Sequence, residues 1–307
     1  MAIKMGPILG FRGQRQGEWW VSVLLVTDAQ TDRHRLTFTP AGGVETSVAA
    51  TLLKAMPEGK PSLRAWRWDF AVRQTDAEQQ VSYEILGTRA EFWVPAKGSM
   101  PNSAYASCNG FSSAKVKNSC KVPQRLWVDL AAKHAERHYH LLMMGGDQVY
   151  ADSIWEVIPE LSEWAGLPVE QAIKRSFTAD MARKVDRFYS ELYIQNWGQK
   201  EPASMLARIP TLMMWDDHDI FDGWGSYSDA EQASDVLQTI FRVARRSFLL
   251  FQLHTLSAVL FADVAFDADG HAGFDGSIIT GVGEIAVVIE IGIFTRHAAA
   301  VGGEIIA

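Results

Sequence analysis

Two clusters of acidic side chains each follow a short apolar segment. Residues 139–144 lead through two glycines to Asp147 and Tyr150. Residues 209–215 lead to a run of four aspartates and one histidine, namely Asp216, Asp217, His218, Asp219 and Asp222. Carboxylates at this density repel one another unless cations lie between them. Because two segments can together hold a pair of cations, the pattern predicts a shared site for more than one metal ion.

The apolar segment at 139–144 is typical of a buried parallel strand, because it is short and ends at glycines. In open α/β sheets, ligands bind beyond the carboxyl ends of the strands, which is where Asp147 falls. Gly145 and Gly146 let the backbone turn sharply and leave room for a ligand. Taken alone, the segment fits a loop with an acidic helix cap equally well, and it is the second cluster that favours a metal site.

The composition is that of an ordinary globular protein. The chain has 307 residues, 48% of them hydrophobic, and a formal net charge of −7. This charge argues against nucleic acid or an anionic membrane as the main partner. The two cysteines, Cys108 and Cys120, exclude a disulfide framework, and with no signal peptide or twin-arginine export signal we predict a cytoplasmic location. The apolar run 278–294 is a poor membrane span because it contains Glu284 and Glu290.

Residues 1–98 predict an all-β domain. Residues 19–27 form an apolar run, and polar and apolar residues alternate with period two at 66–72 and 81–85. This alternation between turn residues is typical of half-buried antiparallel strands, so we predict a β-sandwich. The stretch 95–101, with two prolines and a glycine, marks a boundary.

Residues 99–254 show the alternation of strands and helices that is typical of an α/β domain. The order strand, helix, strand predicts a parallel pair with a right-handed crossover. Thr178 and Ser228 are predicted N-caps, the latter in a capping box with Glu231. We predict strands at 103–107 and 139–144, and helices at 124–138, 178–197 and 228–253.

Residues 255–307 differ in composition from everything before them. They contain no Lys, Pro, Trp, Tyr, Met, Asn, Gln or Cys, and Arg296 is their single arginine. We therefore predict an atypical tail, produced by a change of reading frame or a truncation near His254.

The ordered set of three motifs resembles the PhoD-like alkaline phosphatases, a branch of the calcineurin-like metallophosphatases. The motifs are Ser107-Cys108-Asn109, then Gly-Asp-Gln-x-Tyr-Ala-Asp at 146–152, then Trp-Asp-Asp-His-Asp at 215–219. The likeness covers about residues 100–253 and extends to the preceding β domain. It implies a metallophosphatase-type β-sheet sandwich flanked by helices, preceded by an all-β sandwich domain.

The resemblance also implies a role for each matching residue. It makes Cys108, Tyr150 and Asp217 metal ligands and Asp147 the carboxylate that bridges two metals. His218 would face the phosphoryl group, with Asp219 orienting it. Asn109 either contacts the phosphate or shapes the turn. By themselves, Cys108 and Tyr150 also fit a buried thiol and a core aromatic residue.

The ligand chemistry indicates which ions would bind. A thiolate and a phenolate on one ion favour Fe³⁺, while an oxygen-only partner site suits Ca²⁺, Mn²⁺ or Mg²⁺, with Zn²⁺ as a further candidate. Two such ions can clamp one phosphate and lower the pKa of a shared water. The substrate class would be a phosphoester, carried by a small molecule or by a phosphorylated polymer.

The remaining ligands of the family lie in a late Gly-Asp-x-His or Gly-His-x-His motif, which this sequence lacks. His271 and His297 are the late candidates after His254. The catalytic domain is therefore expected to be incomplete. Two functions stay open: a metal-dependent phosphomonoesterase or phosphodiesterase, impaired by missing ligands, or an inactive remnant that acts as a binding or scaffold protein. Phosphotransfer through an aspartyl intermediate is disfavoured, because the required strand-end motif is absent.

Overall fold

The computed structural model describes residues 2–28, 34–56, 63–111 and 114–256. The strands are β1 (Ile3–Arg15), β2 (Glu18–Asp28), β3 (Arg35–Pro40), β4 (Thr46–Ala49), β5 (Thr51–Met56), β6 (Leu63–Arg73), β7 (Gln79–Ile85), β8 (Thr88–Val94), β9 (Ser103–Ala106), β10 (Leu141–Gly145) and β11 (Thr211–Met214). The helices are α1 (Ala114–Ser119), α2 (Arg125–Glu136), α3 (Ile154–Val157), α4 (Pro159–Ala165), α5 (Val169–Ala172), α6 (Ala179–Trp197), α7 (Lys200–Leu206), α8 (Asp229–Gln232) and α9 (Asp235–Phe251).

Strand β1 lies in the middle of a seven-stranded sheet of order β5-β6-β2-β1-β11-β10-β9. It pairs antiparallel with β2 on one side and parallel with β11 on the other, where Gly10 lies opposite Thr211. The Thr211 hydroxyl also donates to the carbonyl oxygen of Leu9 at 2.8 Å. The sheet is therefore mixed, and it contains strands from both sides of the boundary predicted at residues 98 and 99. The division into units 1–98 and 99–254 stays a prediction.

A second, antiparallel sheet of order β4-β3-β7-β8 packs on one face of the larger sheet. The alternation at 66–72 and 81–85 predicted two of the strands involved, and both are confirmed as β6 and β7. Their inward side chains are buried between the sheets, as period-two patterning requires. The core between the sheets includes Leu9, Trp19, Val21, Val23, Leu25, Leu36, Phe38, Trp66, Trp68, Phe70, Val81, Tyr83 and Phe92.

Three parallel strands end together at one edge of the larger sheet. Met144 of β10 lies opposite Ala106 of β9, and Gly145 of β10 lies opposite Met214 of β11. The loops that follow these strands therefore start at the same level. This is the arrangement by which α/β sheets build ligand sites.

Side chains of α2, α6, α7 and α9 pack on the other face of this sheet. Helices α3 to α7 form the connection between β10 and β11. The predicted cap of α6 is confirmed, because the Thr178 hydroxyl accepts from the Met181 amide at 3.2 Å. The single helix predicted at 228–253 is wrong. Ser228 caps the short α8, and Ser234 then starts α9 by accepting from the Leu237 amide at 3.3 Å. A second cap begins a new helix because it satisfies amides that have no partner within the helix.

Among the described residues, no helix has the length and apolarity needed to cross a membrane. The predicted tail lies outside the described residues from position 257 onward.

Candidate metal centre

The loops after β9, β10 and β11 are joined to one another by backbone hydrogen bonds. The backbone amide of Cys108 donates to the Gly146 carbonyl at 3.0 Å. The backbone amide of Asn109 donates to the backbone carbonyl of Asp147 at 2.8 Å. On the other side, the Ala151 amide donates to the His218 carbonyl at 2.9 Å. Cys108 and Asp147 have φ values of 58° and 55°. Residues other than glycine adopt this conformation mainly where the surroundings enforce it, often at functional sites.

Three of the predicted site side chains, those of Cys108, Asp217 and His218, lie close to Asp147. The thiol of Cys108 donates to Asp147 Oδ2 at 3.4 Å. Ligand atoms of Asp147, Asp217 and His218 all lie within 4.8 Å of one another. The side chains that follow the three strand ends therefore lie on the same side of the molecule, within reach of one another.

Asp147 is buried, and its carboxylate is only partly hydrogen-bonded. Its side chain is only 7% exposed, and Oδ1 is buried with no hydrogen-bond partner in the described part of the protein. Burial raises the pKa of this carboxyl, against the opposing effect of the Cys108 hydrogen bond and the His218 charge. An orphaned buried carboxylate oxygen costs free energy that a bound cation would offset. The residues present therefore fit a metal ion.

Tyr150 lies on the same side of the site and stacks on His218, with ring centroids 4.3 Å apart. Burial, and after it the nearby Cys108 and Asp147, raises the pKa of its phenol. Because its pKa is raised, the phenol is protonated when no positive ion lies beside it. Gly110 makes room for this ring, because a Cβ at that position would lie 2.1 Å from a Tyr150 ring carbon.

The imidazole of His218 is oriented by Asp152. His218 Nδ1 lies 2.9 Å from both oxygens of that carboxylate, while Nε2 lies 4.0 Å from Asp222 Oδ1. Burial lowers the pKa of His218, but Asp152 and the neighbouring acids outweigh it and the pKa is raised. The expectation that Asp219 orients His218 is corrected by this contact. The sequence offered no means of choosing between the two acids, because the pairing joins separate loops.

Asp219 instead holds the loop after β10 in place. It is 1% exposed, and its Oδ1 accepts from the amides of Gln148 at 3.0 Å and Val149 at 3.1 Å. Its Oδ2 accepts from the Asp216 amide at 3.0 Å. Burial raises the pKa of Asp219 to about 7, although these backbone donors favour the charged form. Asp219 thus fixes the backbone directly after Asp147.

Three neighbouring side chains, those of Asp216, Asp217 and Asn109, are held by hydrogen bonds. Asp216 caps the 3-10 turn Asp217–Asp219 by accepting from the Asp217 amide. Asp217 is itself oriented by the Gly223 amide, which donates to its Oδ2 at 2.7 Å. Both polar atoms of the Asn109 side chain form hydrogen bonds. Its Oδ1 accepts from Trp127 Nε1 at 2.8 Å, and its Nδ2 donates to the Gln148 carbonyl at 3.2 Å. These contacts favour the turn-shaping role for Asn109.

Two residues that sequence reasoning did not assign contact this network. Asp152 is the last residue of the second motif, and it contacts both His218 Nδ1 and the Asp222 amide. Gln252 donates to Asp219 Oδ1 at 2.8 Å from the end of α9, and no motif marked it. The late candidates His271 and His297 lie outside the described residues.

Comparison with known proteins supplies a family. The model of the PhoD related phosphatase family matches residues 71–289, which includes the β10 and β11 loops and part of the predicted tail. An uncharacterized protein of Saccharomyces cerevisiae is 34% identical over 209 residues, covering 62% of this chain and 29% of the yeast protein. The match thus spans less than a third of that relative's length. The family model matches well over half of the chain, and the chain belongs to the PhoD-related phosphatase family.

Proposed function

We propose that this chain is a metal-dependent phosphoester hydrolase that uses two metal ions. The observation that carries the proposal is the convergence of Cys108, Asp147 and Asp217 beside His218. A thiol, a phenol and several carboxylates around one buried, unpaired oxygen are a donor set for cations. The family and the carboxyl-edge position of the site both support phosphoryl chemistry.

Each ligand residue has a place in this proposal. Asp147 would contribute to holding both ions, Cys108 and Tyr150 would help to hold one of them, and Asp217 would help to hold the other. The thiolate and phenolate suit Fe³⁺ and the oxygen-only side suits Ca²⁺, Mn²⁺ or Mg²⁺. Bound cations would supply Lewis acidity, which neutralises the phosphoryl oxygens and acidifies a water nucleophile. The seven-stranded sheet would be one layer of a metallophosphatase-type β-sheet sandwich.

His218 is the proposed general acid. Asp152 holds Nδ1 and thereby leaves Nε2 to carry the proton toward the leaving oxygen of the ester. The raised pKa of His218 keeps that proton available near neutral pH. Asp219 keeps the Gln148 and Val149 amides in place, so that Asp147 presents its carboxylate to the ions. The substrate is proposed to be a phosphomonoester or phosphodiester, free or on a polymer.

The deciding experiment combines metal analysis of the purified full chain with turnover of chromogenic phosphomonoesters and phosphodiesters. We expect bound metal and hydrolysis, and we expect Asp147→Asn to lose both. Asp129→Asn, at an exposed acid on α2, is the matched control and should keep both. Wild-type protein with no metal and no turnover would refute the proposal and leave a binding or scaffold role.

A further inference from the structure

The turn that follows α9 is bonded directly to the metal-site loop. Gln252 is 3% exposed, and its Nε2 donates both to Asp219 Oδ1 at 2.8 Å and to the Tyr193 hydroxyl at 2.9 Å. Asp219 in turn holds the amides of Gln148 and Val149. One buried amide therefore links the end of α9 to the backbone next to Asp147.

The same turn is bonded to the middle of the seven-stranded sheet. Arg12 of β1 donates to the Leu253 carbonyl at 2.6 Å, and Arg67 of β6 donates to the His254 carbonyl at 2.8 Å. The His254 ring is fully buried, with Nδ1 2.8 Å from the Ser22 hydroxyl. Ser22 also accepts from Arg12 Nε at 2.8 Å. Three neighbouring strands thus hold residues 253 and 254.

The backbone of this turn adopts a conformation that needs such support. His254 has a φ of 49°, in the left-handed region that residues with a side chain rarely adopt. Its ring packs so closely on β1 that a Cβ at Gly10 would lie 3.1 Å from it. Strained conformations persist only where the surrounding contacts over-determine them. The turn is therefore held in one geometry from the sheet side.

We propose that residues 252–255 are a positioning element for the metal centre, in which Gln252 carries the geometry of the sheet to Asp219 and so to Asp147. The inference rests on the proposed function and concerns how that site is held in place. Gln252 touches none of the proposed ligands, so it is a positioning residue. Groups that orient metal ligands through hydrogen bonds commonly change metal affinity about 10–100-fold when removed.

The test uses Mn²⁺ binding to the full chain by calorimetry. Gln252→Leu keeps the volume and removes both donors, and we expect it to weaken Mn²⁺ binding by roughly 10-fold. Ser22→Ala acts from the far side of the turn, and we expect a smaller loss in the same direction. Gln238→Leu changes a glutamine on the same helix that donates to the Gln232 carbonyl, and it should leave Mn²⁺ binding unchanged.

A second readout does not depend on metal. In the apo protein, amide hydrogen exchange at Gln148 and Val149 should accelerate in Gln252→Leu, while exchange within β7 stays as in the wild type. Local acceleration supports the positioning role. Unchanged exchange at these amides, or uniform acceleration across the protein, would overturn it. A wild-type protein that binds no Mn²⁺ would instead count against the proposed function, and the exchange data would still decide the role of Gln252.

Discussion

The Nδ1 atom of His218 lies 2.9 Å from both carboxylate oxygens of Asp152, which joins the loop after β10 to the loop after β11. This contact fixes the ring orientation and favours a proton on Nδ1. It also places a negative charge where it stabilises the imidazolium form. Because Asp152 engages Nδ1, the proposed proton transfer would use Nε2, which lies 4.0 Å from Asp222 Oδ1.

Replacing Asp152 with asparagine should therefore impair proton transfer while leaving the metal ligands in place. We expect kcat to fall roughly 10²–10⁴-fold, the usual contribution of a general acid. Because Asp152 raises the pKa of His218, the alkaline limb of the kcat profile should move to lower pH. Steady-state kinetics across pH 5–10 would show this. An unshifted profile with unchanged kcat would mean that His218 is not the acid.

Alanine at Gly110 should disturb the site through Tyr150. The new Cβ would lie 2.1 Å from that ring, so the ring or the loop must move. We expect weaker metal binding and a loss of roughly 1–3 kcal/mol in the free energy of unfolding, as for other overpacked positions. Gly166→Ala is the matched control, since its Cβ would meet its nearest neighbour at an ordinary 3.5 Å. Denaturant unfolding and metal titration of both variants measure the difference.

Asparagine at Asp147 should stabilise the protein in the absence of metal even as it removes metal binding. Burial raises the pKa of Asp147, and Asp216 and Asp217 add repulsion, so the charged form destabilises the apo fold. We expect the apo variant to melt roughly 2–4 °C higher at pH 8, equivalent to about 1 kcal/mol in a chain of this size. Added metal should raise the melting temperature of the wild type only. A lower melting temperature for the apo variant would contradict the assignment of Asp147 as an uncompensated buried acid.

His134 should make the fold sensitive to acid. Burial, together with the charges of His138 and Arg208, lowers its pKa from 6.5 to about 4. The folded state therefore prefers the neutral ring. The contribution of the neutral His134 ring to the free energy of unfolding is complete above pH 6.5, and it is lost as the pH falls toward 4. His134→Gln keeps an acceptor for the Tyr139 amide, which His134 Nδ1 binds at 3.0 Å, and removes the titration. The unfolding free energy of the variant should fall less steeply than that of the wild type between pH 6.5 and 4, and equal slopes would refute the prediction.

Much of the local structure followed from the sequence because its causes are local. Period-two alternation predicted β6 and β7, and the cap at Thr178 predicted the start of α6. The three motifs lie at one edge of the sheet because they follow neighbouring parallel strands, whose carboxyl ends meet there. These inferences needed no knowledge of which strands pair.

The features that the sequence did not predict share a physical cause. Strand β1 went unrecognised because Gly6, Pro7, Gly10 and Gly13 interrupt its apolar pattern, and its central place depends on partners elsewhere in the chain. Asp152, and not Asp219 as expected, contacts His218, through a pairing between two separate loops. Ser234 divides the last helix because a local cap outweighs a continuous apolar stripe. Tertiary contacts and competing caps decided each case.

The central position of β1 constrains how this protein can be assembled or divided. β1 emerges from the ribosome before Thr211, its partner on β11, because the two lie far apart in the sequence. Until then, β1 has an open edge of unpaired amides and carbonyls, of the kind that promotes association with other chains. A fragment that begins at residue 99 would keep the proposed ligands, yet it would expose the matching edge of β11. Such a fragment should recover solubility and metal binding only when residues 1–98 are supplied in trans.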